Sequence, residues 1–143
     1  MIADIQIVER NKGPIVEGIA FEDIPIGSLV TPYCGSGSDP NVISFKLNTT
    51  ILSPSWFVCL SNIYGESLSE FKAGDHIRCL CMVPGDISHV RVDAPVIAGT
   101  FLISQPAAPG TATTSGAGWY AALAIANSQD YDFGDTLTKV LFG

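Results

Sequence analysis

The chain has 143 residues, 47% of them hydrophobic and only 15% charged, and its 7 basic and 14 acidic residues give a net charge of −7. No apolar run reaches the about 20 residues a membrane helix needs, the composition is too apolar for a disordered chain, and no Lys/Arg cluster offers cationic contacts to phosphates or anionic lipid. Neither nucleic acid nor a membrane is therefore expected as a partner, and the length predicts one domain, since about 100–200 residues make a usual unit.

From the N-terminus, residues 1–14 set Ile5 and Ile7 against Asp4 and Gln6 and end in the turn Asn11-Lys12-Gly13-Pro14. That alternation predicts either a first strand or an extended arm that adds to a neighbour's sheet edge. The segment has neither a basic start nor a long apolar stretch, so it is not read as a secretory signal. Synthesis in a cytoplasm is expected, with Cys34, Cys59, Cys79 and Cys81 as reduced thiols.

Beyond residue 14, short runs rich in β-branched and aromatic residues recur at 42–47, 56–60 and 77–83, separated by Gly, Pro, Ser, Asn and Asp. This spacing predicts an all-β domain, a sandwich or barrel of jelly-roll-like type. The best helical candidate, Gly65 to Phe71, is a single turn at most. Phe101-Leu102-Ile103 and Ala121 to Ala126 are apolar on both strand faces, so one face is expected to pack within the chain and the other against a second molecule. Cys34 to Asn41 and the uncharged, Pro/Ala/Thr-rich Gln105 to Gly118 read as loops.

Three anchors recur in the same order. Gly27-Ser28-Leu29-Val30 is echoed by Gly99-Thr100-Phe101-Leu102, Trp56-Phe57 by Trp119-Tyr120, and Gly74-Asp75 by Gly134-Asp135, at spacings of 72, 63 and 60 residues. The chain thus reads as one domain, 1–143, made of two pseudo-repeated β-units, 15–93 and 94–143, behind the 1–14 arm or strand. Residues 34–41 and 105–118 occupy equivalent places in the two units.

The chemistry-bearing residue types form no catalytic frame. Cys79-x-Cys81 puts two thiols on one strand face while His76 falls on the other, a poor zinc set and a good pair of buried cysteines. Gly35-Ser36-Gly37-Ser38 lacks the strand-to-helix elbow of a nucleophilic serine, and no Gly-rich phosphate loop is present. Carboxylates Glu9, Glu17, Glu22, Asp23, Glu66, Glu70 and Asp75 have no spacing that argues for a pair. His89, Arg91 and Asp93 alternate with Val90 and Val92 as the polar face of a strand. No enzymatic activity, metal or cofactor is expected. Adjacent strand residues point oppositely, so Trp56-Phe57 and Trp119-Tyr120 each turn one ring outward, and with Ile5 and Ile7 they form the candidate protein–protein interface.

Ala94-Pro95-Val96-Ile97-Ala98-Gly99-Thr100-Phe101-Leu102-Ile103-Ser104, the following Gly/Ala/Thr loop, Ala122-Leu123-Ala124-Ile125-Ala126 and Leu137-Thr138-Lys139-Val140-Leu141-Phe142 together resemble the small head-decoration proteins of tailed bacteriophages. The resemblance covers the C-terminal third, with a weaker echo in the first half. It implies a β-rich cement protein on the capsid exterior of a virion, commonly a homotrimer, bound to the major capsid protein at capsomer junctions and stabilising the shell. A receptor- or carbohydrate-binding module of a fibre or tail is the alternative, and a small hydrolase a more remote one.

Overall fold

Alternating and doubly apolar runs become strands wherever a neighbour supplies backbone partners. The computed structural model describes residues 5–50, 56–105, 107–116 and 120–143, and its regular structure is all β. In chain order the strands are β1 (Val8–Arg10), β2 (Ile15–Ala20), β3 (Ile24–Pro25), β4 (Leu29–Tyr33), β5 (Ser44–Leu47), β6 (Phe57–Asn62) and β7 (Glu70–Phe71). They continue as β8 (His76–Cys81), β9 (Ile87–Arg91), β10 (Phe101–Gln105), β11 (Thr111–Thr114), β12 (Ala122–Ala124), β13 (Gln129–Asp130) and β14 (Thr136–Phe142).

The strand pairing repeats. In the first unit β2, β5, β4, β6 and β8 close a barrel in that order. In the second, β9, β14, β12, β10 and β11 follow the same cyclic order, with β10 between β11 and β12 as β4 lies between β5 and β6. The parallel contact of β2 with β5, Ala20 opposite Phe45, has its counterpart in a single parallel bridge from Val92 to Ala112. The second sheet thus curves toward closure at this bridge but is not the closed ring of the first. The anchors sit where the repeat requires: Gly27 and Gly99 have φ of 75° and 93°, and Gly74 and Gly134 both have 93°, a left-handed backbone that glycine adopts without steric cost.

Strand β9 finds its backbone partners on β14, so residues 87–91 lie in the sheet of β10 to β14. Two expectations are corrected. Gly65 to Phe71 is not helical, because the Asn62 Oδ1 accepts hydrogen bonds from the amides of Tyr64 and Glu66, both at 3.0 Å, and holds a turn there. The segment read as a loop at 105–118 contains β11, whose β-branched threonines pair with β10 from Leu102–Thr114 to Gln105–Thr111.

One contiguous core runs through both units. The fully buried Trp56 ring lies 5.8 Å from Phe142 of β14, and the Arg91 amide donates to the Gly27 carbonyl at 2.9 Å. The Arg91 guanidinium, 3.1 Å from the Ser28 hydroxyl and 3.3 Å from the Asp135 carboxylate, ties the first unit to the second. Burial holds the Asp135 carboxyl above its usual range, against the lowering effect of Arg91.

The N-terminal segment is a strand of this chain's own sheet: β1 pairs antiparallel with β9, Val8 opposite Ser88. What holds it is Asp86, fully buried in the β8–β9 turn. Its carboxylate accepts from the amides of Lys12 at 2.6 Å, Gly13 at 3.1 Å and Val83 at 3.0 Å. Gly13 is needed there because a Cβ would stand 1.9 Å from the Cys81 carbonyl oxygen.

Candidate assembly interface

The second unit carries apolar residues on both sides of its sheet. Inward, Leu102, Ala122 and Val140 are fully buried. Outward, the register aligns a row across four strands: Phe101 of β10 faces Leu123 of β12, Leu123 faces Leu141 of β14, and Leu141 faces Ile87 of β9. The row ends at Arg10 of β1, opposite Ile87. Phe101 is 46% exposed, and the other three apolar residues are half-buried. Tyr120, 45% exposed, lays its ring 4.2 Å from that of Phe101. Cross-strand neighbours shield part of each side chain, and the rest is an unpartnered apolar stripe of the kind protein interfaces use.

Beside the stripe the surface turns polar. Lys139 lies opposite His89, and its ammonium is 2.8 Å from the Glu9 carboxylate. That hydrogen bond holds the Glu9 carboxyl below its usual range. His89 Nδ1 lies 3.2 Å from the Ile7 carbonyl.

Of the residues expected at an interface, Tyr120 alone among those described joins this face. Ile7 and Trp56 are buried in the core, while Ile5 and Phe57 are half-buried against it. Phe57 packs its ring 6.0 Å from that of the buried Phe45, on the first unit and away from the stripe. Trp119 lies outside the described residues. Phe101, Leu123, Leu141 and Ile87 were not among the expected interface residues, although the doubly apolar runs at 101–103 and 121–126 already implied a second packing face.

A concavity of about 300 Å³ lies at the seam of the units between Tyr33, Lys46, Thr49 and Pro109. The Lys46 ammonium sits 4.5 Å from the centre of the Tyr33 ring and 5.6 Å from that of Phe21. The cation thus occupies the ring faces on which a sugar would stack. Asp23 and Glu70 converge on the exposed Lys72 ammonium, Asp23 at 3.6 Å, and Asp75 accepts from the Lys72 amide at 2.8 Å; these carboxylates serve ion pairs and turns. Among the described residues no group of three or more His, Cys, Asp or Glu is arranged to hold a metal, all four cysteines are free thiols, and no helix is long and apolar enough to cross a membrane.

Beside this closed barrel, its related sheet and the apolar outer face stands one informative solved structure. The chain is similar in fold to a phage head-fibre base. The neighbour is the N base of head fibre gp8.5 in bacteriophage phi29, matched at a TM-score of 0.58 over 91% of this chain and 93% of that one, with 14% sequence identity. At that identity the likeness is one of fold. No protein-family model matches the chain, and no curated protein matches it with significance.

Proposed function

We propose that this chain is a structural protein of a bacteriophage particle, mounted on the outside of the head, where it acts by binding and not by catalysis. The observation that carries the reading is the fold likeness to a head-fibre base across nearly the full length of both chains. The resemblance of residues 94–142 to head-decoration proteins points the same way. The Phe101-Leu123-Leu141-Ile87 stripe, with Tyr120 beside it and Arg10 at its end, supplies the contact surface. It docks on the major capsid protein at capsomer junctions. Binding that only the assembled shell offers shifts the equilibrium toward the intact head by mass action. A homotrimer repeats one heterologous contact three times around such a junction.

A second reading keeps the head and changes the role, making the domain the foot of a projecting fibre. The coverage of 93% of the neighbour, itself a fibre base, favours it. Binding of a carbohydrate receptor by this domain is less favoured, because Lys46 covers the Tyr33 and Phe21 rings.

The test is co-sedimentation of the purified chain with expanded heads of its own phage that lack it. The wild type binds and raises the temperature at which heads release DNA. Phe101→Asp and Leu123→Asp variants, folded by circular dichroism, lose binding by at least tenfold. Wild-type chain that stays in the supernatant, or aspartate variants that bind as well as wild type, would refute the reading.

A further inference from the structure

Four reduced cysteines are present, and two of them stand in a relation the chain's other contacts do not use. Cys59 of β6 and Cys79 of β8 are directly opposite each other across an antiparallel pair. Both are fully buried. The Cys59 amide donates to the Ser28 carbonyl and the Cys59 carbonyl accepts from the Gly27 amide, each at 3.0 Å. Both peptide groups of Cys59 are therefore turned toward β4, which makes Cys59 and Cys79 a non-hydrogen-bonded pair across β8. Such pairs bring Cα atoms to about 4.5 Å, at the near end of the about 4.4–6.8 Å range that a disulfide spans.

We propose that Cys59 and Cys79 form a latent intrachain disulfide site that closes β6 onto β8 in an oxidising medium. With glutathione disulfide as oxidant, the thiolate of one cysteine attacks a glutathione sulfur, forming a mixed disulfide and releasing one glutathione thiolate. The second cysteine, losing its proton to water, displaces the other glutathione and forms the Cys59–Cys79 bond. The two cysteines lose two electrons and two protons, and one glutathione disulfide becomes two glutathiones. Because β8 is flanked by β2 and β6 in a closed barrel, the first attack requires a local opening. Burial also pushes the Cys59 thiol well up, which keeps the native pair slow to react. Cys81, two residues further along β8, lies opposite Phe57 and not Cys59; Cys34 is exposed in the loop after β4. The site stands on the β6–β8 register, which is regular from Phe57 to Cys59 and shifts only after it, between Cys59 and Ser61, and it holds whether or not the chain belongs to a phage particle.

The full-length protein is incubated with glutathione disulfide at pH 8 with and without sub-denaturing urea, then denatured in maleimide and mapped by mass spectrometry. The expected product has the Cys59 and Cys79 peptides joined, Cys81 labelled by maleimide, and Cys34 carrying glutathione or maleimide. It forms several-fold faster in urea, and its thermal midpoint lies above that of the reduced protein and returns with dithiothreitol. A Cys79→Ser variant gives no joined peptide; should that variant fail to fold, the wild-type map decides alone. Joining of Cys79 to Cys81 or Cys34, free Cys59 and Cys79 after oxidation in urea, or a crosslinked chain whose midpoint falls would overturn the proposal.

Discussion

Asp86 is the residue whose removal tests the architecture most directly. Its buried carboxylate gathers the amides of Lys12, Gly13 and Val83, so one side chain joins the N-terminal segment to the β8–β9 turn, the point where the units meet. Hydrogen bonds to a charged acceptor contribute about 1.5–3 kcal/mol each. Three on one carboxylate do not add fully, and Asp86→Ala leaves three amides short of their acceptor. A loss of about 3–5 kcal/mol is expected, the range for breaking a buried charged network. Asp86→Asn retains one acceptor oxygen but turns an NH₂ group toward a donor, so its cost falls between wild type and alanine. Urea unfolding followed by tryptophan fluorescence gives the free energies. Hydrogen exchange gives the location: the amides of Lys12, Gly13 and β1 lose protection in Asp86→Ala before those of β6 and β8 do. A loss below about 1 kcal/mol, or uniform loss of protection over both units, would refute the reasoning.

Gly13→Ala drives a Cβ onto the Cys81 carbonyl, and a loss of about 1–3 kcal/mol is expected from the overpacking, read by the urea midpoint. Leu102→Ala empties a fully buried site and costs about 2–5 kcal/mol, whereas Phe101→Asp one residue earlier loses mainly the Tyr120 ring contact, about 0.5–1.5 kcal/mol, while weakening head binding at least tenfold; a larger thermal shift for Phe101→Asp than for Leu102→Ala would contradict the inward and outward assignment. Lys139→Met removes the hydrogen bond that lowers the Glu9 carboxyl, so an NMR titration shows the Glu9 pKa rising toward the ordinary glutamate value. The folded pKa of Glu9 lies below its unfolded value, so its small contribution is present above the unfolded value and lost as pH falls through the folded one. The variant therefore shows a shallower loss of stability in that acid window.

What the amino-acid order determines by itself is local and periodic. β-Branched runs between Gly and Asp turns settle that the chain is all β, and the paired anchors at Gly27 and Gly99 and at Gly74 and Gly134 disclose two like units, because a left-handed turn needs glycine wherever it occurs. The uncharged 105–118 stretch hid β11, since threonines signal a strand only weakly until β10 is there to pair with them. The sequence implied a second apolar face at 101–103 and 121–126 without telling which residues form it. Trp56 and Ile7 read like surface anchors but are buried by Phe142 and by the β1–β9 contact with its Asp86 clasp. Phe101, Leu123, Leu141 and Ile87 are far apart in the chain and become one stripe only through the registers of β10, β12, β14 and β9. Strand pairing is a long-range choice: shifting it by one residue exchanges the two faces, and that choice, made by the packed core, decides what this protein offers to a partner.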